Sequence, residues 1–127
     1  MNSNAKPNLN RDELLLINKS VNINLLSNNK VSFMRPPDKL LNSNQRFGSI
    51  IKLDTPKKEA VYKISLSKEG WVDVIQNDAF VKSIDHSGAK NCKLLRKSVK
   101  FLLKAVPTII QISNVPADEV SIIVTPE

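Results

Sequence analysis

The chain has 127 residues, of which 41% are hydrophobic and 24% are charged, and it carries a formal net charge of +7. That length fits one domain with its own core, and the composition excludes a collagen-like or wholly disordered chain. With 3 Gly and 5% aromatic residues, the chain is poor in the residues that glycine-rich phosphate loops and stacking platforms for single-stranded nucleic acid require.

The N-terminal half begins with ambiguous elements. Residues 1–11 lack apolar periodicity and predict a flexible tail, after which residues 12–127 form a single domain. Residues 14–17 follow two acidic residues and are compatible with the start of a short helix. Residues 21–25 alternate strictly between apolar and polar side chains, which predicts a half-buried strand.

Turn residues then divide the chain into further short strands. The polar residues 27–30 predict a hairpin turn into a second strand at residues 31–34, and residues 48–53 predict a third strand. Residues 61–67 and 71–75 look like consecutive antiparallel strands, joined by a turn at residues 68–70.

The C-terminal half continues the same spacing. Asn77 and Asp78 predict a tight turn into a strand over residues 79–84, and residues 108–113 and 119–125 predict two more strands. Short strands at this spacing predict an all-β fold, an antiparallel, jelly-roll-like β-sandwich of about seven to nine strands.

Residues 89–105 fit two different structures. Apolar residues recur at spacings of three and four, which favours a basic amphipathic helix and would raise nucleic-acid or anionic-membrane binding. The end of the same segment alternates, which favours a strand with a lysine-rich, solvated face. The local pattern leaves both alternatives open.

A resemblance favours the strand. The chain resembles a group of small exported bacterial domains, similar to pre-peptidase C-terminal domains, in motifs that keep their order: Gly70-Trp71-Val72-Asp73-Val74-Ile75, Asp85-His86-Ser87-Gly88, residues 92–103 and Ile109-Ile110-Gln111-Ile112-Ser113. The resemblance implies a β-sandwich, a strand over residues 99–103, and a mature periplasmic or secreted protein that has lost its signal peptide; a cytoplasmic location is the alternative. No apolar run approaches the roughly 20 residues of a transmembrane helix.

A metal site is a second hypothesis. His86 and Cys92 are the only histidine and the only cysteine, and Asp85 is adjacent. An imidazole, a thiolate and a carboxylate would supply three ligands for zinc or copper and leave an open position. The alternative is a purely structural role, in which a buried Cys92 packs as a small hydrophobe and His86 hydrogen-bonds within its loop. We prefer this structural interpretation and expect no cofactor.

The positive charge is concentrated between residues 82 and 104. The preferred function is a non-enzymatic exported module that contacts a protein or a cell-envelope polyanion through a basic face. The residues predicted for that face are Lys93, Arg96, Lys97, Lys100 and Lys104. A small periplasmic metal-binding protein is the alternative, and a cytoplasmic nucleic-acid binder with a helix over residues 89–105 is the third hypothesis.

Trp71 and Asp73 form a further candidate pair. An exposed indole beside a carboxylate is compatible with contacts to a sugar. A tryptophan that follows a turn in an alternating strand more often packs at the edge of a sandwich, with its N–H hydrogen-bonded.

Overall fold

The fold is all-β, as the sequence predicted. The computed structural model describes residues 8–9, 13–34, 46–86 and 97–127, and for Asn29, Asp85, His86 and Lys97 it describes the backbone alone. Within these ranges there are eleven strands and a 3-10 helix at Asn28–Lys30, and no helix is long and apolar enough to cross a membrane. The strands are β1 (Leu14–Leu15), β2 (Val21–Asn24), β3 (Leu26–Ser27), β4 (Phe47–Leu53), β5 (Ala60–Leu66), β6 (Trp71–Gln76), β7 (Ala79–Phe80), β8 (Ser83–His86), β9 (Lys97–Leu103), β10 (Thr108–Val115) and β11 (Glu119–Pro126).

The strands form two sheets that share one core. The first sheet has the order β1-β4-β10-β6-β7, with β3 also paired to β4, and the second has the order β2-β11-β5-β9-β8. All pairs between these strands are antiparallel except β1 with β4. From β2 the chain crosses to β4 in the first sheet, returns to β5 in the second and crosses again to β6. β6 and β7 pair within the first sheet, β8 and β9 pair within the second, and β10 and β11 lie in the first and the second sheet. The four-stranded rows β4-β10-β6-β7 and β2-β11-β5-β9, connected in this way, are a jelly roll.

The core lies between the two sheets because each long strand turns one face inward. Side chains of both sheets are 0% to 1% exposed there, and these are Ile64, Leu66, Val99, Leu103, Ile122 and Val124 of the second sheet and Val74, Ile110 and Ile112 of the first. Burying such aliphatic side chains contributes roughly 1.5–3 kcal/mol each before entropy is counted. The alternation in β5, β9 and β11 therefore settles which face of the second sheet remains outside.

Two predictions for the N-terminal part of the chain were wrong. Leu14–Leu15 is a strand and not the start of a helix, since its backbone pairs in parallel with Lys52 and Leu53 of β4. Residues 31–34 form no strand: the pairing with β4 is made earlier, by Leu26–Ser27. In both places a pairing with the distant strand β4 overrode the local pattern.

The strand pairing and the strand count also differ from expectation. β5 and β6 are consecutive but lie in different sheets, so residues 68–70 join the two layers and do not close a hairpin. The described residues contain eleven strands against the expected seven to nine, because β1, β3 and β7 are two-residue strands. The N-terminal tail prediction covers residues that are mostly outside the described ranges, but Asn8 bridges Asn22 and Leu9 packs against the core.

Two local features follow from residue type. The loop between β6 and β7 is Asn77-Asp78, whose φ angles of 53° and 62° make the type I′ turn that suits a two-residue hairpin. Gly48 lies where β4 passes an irregularity in β10, and a Cβ there would overlap the carbonyl oxygen of Ile112. Glycine is therefore the residue that permits this close approach.

Candidate functional site

The basic segment is a strand where the structure describes it. β9 spans Lys97–Leu103, so the helix considered for residues 89–105 is excluded over residues 97–103, and the strand prediction for residues 99–103 is confirmed. Lys93 and Arg96 lie outside the described residues. The backbone of Lys97 pairs with Leu66 at the start of β9. Of the five predicted basic residues, Lys100 and Lys104 are thus the two whose side chains can be described.

Lys100 faces outward from the second sheet, directly opposite another lysine. The register of β5 and β9 pairs Lys63 with Lys100, between the inward pairs Tyr62 with Phe101 and Ile64 with Val99. Because these flanking pairs are buried in the core, the two lysines lie on the opposite, outer face. Side chains directly opposite each other start about 5 Å apart at Cβ, which brings two positive charges together.

We call this outer surface the lysine face. It is formed by outward residues of β5, β9 and the end of β11, together with Glu127, which follows β11. These residues are Val61, Lys63, Ser65, Ser98, Lys100, Leu102, Thr125 and Glu127. The hydroxyl oxygens of Ser65 and Ser98 are 3.1 Å apart and share a hydrogen bond. This contact confirms that the outward side chains of β5 and β9 meet across the strands.

The two lysines differ in their acidic neighbours. Lys100 Nζ donates to Glu127 Oε1 at 2.9 Å, and the side chains are 31% and 49% exposed. Lys63 has Thr125 of β11 on one side and Lys100 on the other. Neither register partner of Lys63 is acidic, so Lys63 carries the less compensated charge.

Apolar side chains lie beside the lysine pair. Leu102 is 44% exposed and lies opposite the half-buried Val61 in the same register. Ile84, in the edge strand β8 beside β9, is 56% exposed. The surface therefore combines two cations with solvent-exposed aliphatic groups, a mixture that is typical of interaction surfaces.

Lys104 belongs to a different arrangement. It follows β9 and is exposed, while its backbone is held by the buried side chain of Gln76. Gln76 Nε2 donates to the Lys104 carbonyl at 3.0 Å, and the Lys104 N–H donates to Gln76 Oε1 at 3.2 Å. Lys104 is four positions after Lys100, which in a strand corresponds to about 13 Å. It is therefore not part of the Lys63–Lys100 pair.

The residues of the metal hypothesis are only partly described. Asp85 and His86 end β8, where their backbones pair with Lys100 and Val99. Cys92 lies outside the described residues, so the set His86, Cys92 and Asp85 stays a prediction. In the described part of the chain no three His, Cys, Asp or Glu side chains are grouped to hold a metal ion.

Sequence reasoning missed Lys63. Its strand lies far from the basic segment in the chain, and only the pairing of β5 with β9 brings the two lysines together. The local signal was present, since Lys63 occupies a polar position between the apolar Tyr62 and Ile64. What the sequence lacked was the identity of the neighbouring strand.

Comparisons with known proteins supply no relative. The chain matches no protein-family model, no curated protein and no solved structure.

Proposed function

We propose that the chain is a non-enzymatic binding module whose lysine face docks an acidic surface of another protein. The observation that carries the proposal is the cross-strand pair Lys63 and Lys100 on the outer face of the second sheet. Like charges directly opposite each other destabilise a sheet. A partner carboxylate placed between the two ammonium groups would turn this repulsion into attraction, so the arrangement favours binding of an anion.

The apolar neighbours favour a protein over a polyanion. A polysaccharide or phosphate polymer would contact the lysines through its charges and would gain little from Leu102, which is 44% exposed. A protein partner can cover such side chains with apolar groups and place acidic residues on the cations. We therefore commit to a partner surface that combines carboxylates with aliphatic side chains.

Isothermal titration calorimetry with a synthetic peptide of alternating Glu and Leu tests the charged part of the proposal. Lys63→Glu and Lys100→Glu should each weaken peptide binding by about tenfold, or 1.4 kcal/mol. Lys52→Glu is the matched control, because Lys52 is exposed on β4 of the first sheet. Equal losses in all three variants would mean that only net charge matters, and the lysine face would lose its role.

A second titration separates a protein partner from a polyanion. Leu102→Ser should weaken binding of the Glu/Leu peptide and leave binding of polyphosphate unchanged, because polyphosphate has no apolar groups. Leu26→Ser is the control, since Leu26 is 57% exposed on β3 of the first sheet. If polyphosphate binds more tightly than the peptide and Leu102→Ser has no effect, the partner is a polyanion and the protein proposal is wrong.

We also propose that the module acts in the periplasm or outside the cell. The support is the resemblance of its motifs to small exported bacterial domains, together with a charged face suited to partners in the cell envelope. Fractionation of cells that express the native gene should place the protein in the periplasmic or extracellular fraction. Recovery in the cytoplasmic fraction alone would contradict this location.

A further inference from the structure

A carboxylate of this chain already lies on the lysine face. Lys100 Nζ donates to Glu127 Oε1 at 2.9 Å. The backbone N–H of Glu127 donates to the carbonyl of Val61 at 2.9 Å, which continues the pairing of Pro126 with Tyr62. Because Tyr62 is buried in the core and successive residues of a strand face opposite sides, Glu127 lies on the outer side. The backbone therefore positions this glutamate beside the lysines.

The ion pair between Glu127 and Lys100 spans a strand. The sheet order places β5 between β11 and β9, so the backbones that carry the two residues are two strand spacings, or about 10 Å, apart. The side chains meet over β5, where Val61 and Lys63 are neighbouring outward residues. The ion pair thus crosses the lysine face beside Lys63, and we call it the Lys100–Glu127 bridge.

The Lys100–Glu127 bridge can open without disturbing the sheet. Its side chains are 31% and 49% exposed, and water replaces the partners of such a surface ion pair at little cost. The backbone bond from Glu127 to Val61 uses the N–H, so it persists when the carboxylate turns away. Rotation of two long side chains is therefore sufficient to release Lys100 from Glu127.

We propose that Glu127 is an autoinhibitory residue, which competes with the partner's carboxylate for Lys100; this inference rests on the proposed function. When the bridge is closed, Glu127 compensates the charge of Lys100. When it is open, Lys63 and Lys100 both face a partner carboxylate. The partner binds the open form, so its apparent affinity is reduced by the fraction of molecules in which the bridge is closed.

Calorimetric titration with the Glu/Leu peptide tests this competition. Glu127→Gln removes the charge, keeps the backbone N–H, and should tighten peptide binding about three- to fivefold. In a Lys100→Gln background the same change should give less than about a twofold gain, because the bridge is already lost. Glu119→Gln is the matched control, since Glu119 is an exposed acidic residue at the opposite end of β11.

The outcomes separate this inference from the proposed function. Peptide binding that requires Lys63 but is not tightened by Glu127→Gln would overturn the autoinhibition and leave the docking proposal standing. Equal tightening by Glu119→Gln would mean that only net charge acts, which would also overturn it. No peptide binding by either the parent or Glu127→Gln would overturn the docking proposal, and the autoinhibition with it. Circular dichroism of each variant establishes that altered binding is not a loss of fold.

Discussion

Lys63 and Lys100 lie directly opposite each other on the outer face of the second sheet. The contact joins a strand from the middle of the chain to the basic segment near its end. Glu127 bonds to Lys100, while the register partners of Lys63 are Thr125 and Lys100. The pair is therefore asymmetric, and its two members respond differently to substitution.

Removing the charge of Lys63 should stabilise the protein. Lys63→Gln relieves the cross-strand repulsion and should raise the free energy of unfolding by about 0.5 kcal/mol at low ionic strength. The gain should shrink as salt screens the lysines. Urea denaturation at low and high salt measures both effects.

Lys52→Gln is the control, because the register partners of Lys52 are Leu14 and Ile109. A loss of stability in Lys63→Gln, or a gain that does not depend on salt, would contradict this account of the pair.

Replacing the charge of Lys100 should have a smaller effect. Lys100→Gln removes the same repulsion, but it also removes the bond to Glu127, and exposed ion pairs contribute about 0–1 kcal/mol. The two changes oppose each other, so Lys100→Gln should change the free energy of unfolding in urea by less than Lys63→Gln does. A stabilisation equal to that of Lys63→Gln would mean that Glu127 contributes nothing.

Gln76 should be among the costliest polar residues to replace. Its amide is 6% exposed and bonds to the backbone of Lys104 and, at 2.8 Å, to Thr108 Oγ1. Gln76→Leu leaves those groups without partners and should lower the free energy of unfolding by roughly 2–4 kcal/mol. Thr108→Val, which removes one hydroxyl, should cost about 1 kcal/mol. Urea titrations that give equal losses for the two variants would show that the Lys104 bonds do not matter.

Asn114 combines an unusual backbone with a long-range contact. Its φ is 60°, and its Oδ1 accepts from Asn28 Nδ2 at 2.8 Å. Asn114→Ala should cost roughly 2 kcal/mol, because it loses the bond and places Ala in the left-handed region. Asn114→Gly loses the bond without the backbone strain and should cost less. If thermal unfolding showed Asn114→Gly to be less stable than Asn114→Ala, the strain argument would be contradicted.

The sequence alone predicted the strands that have one apolar and one polar face. In β5, β9 and β11 the apolar residues alternate, because one face packs in the core and the other meets solvent. It was insufficient for β1 and β3, which exist because β4 offers an edge for pairing. The lysine face was half predicted: Lys100 was identified from its segment, whereas Lys63 required the strand order, which local pattern does not encode.

Gly48 of β4 provides a test of the irregular pairing between β4 and β10. A Cβ at Gly48 would overlap the backbone of Ile112, whereas a Cβ at Gly70 would lie 2.8 Å from the Cγ2 of Val115. Side chains yield more readily than a paired backbone, so Gly48→Ala should destabilise by about 3 kcal/mol and by more than Gly70→Ala. Urea denaturation compares the two variants, and the opposite ranking would contradict the close approach of β4 and β10.

The central claim is that the lysine face is where a partner docks, and nuclear magnetic resonance titration tests it most directly. The Glu/Leu peptide is added to the isotopically labelled protein, and backbone amide shifts are recorded along the chain. The account predicts that the largest shifts fall on β5 and β9 around Lys63 and Lys100, and that Lys63→Glu abolishes them while Lys52→Glu does not. Largest shifts on β4 and β6 of the first sheet, unchanged by Lys63→Glu, would contradict it.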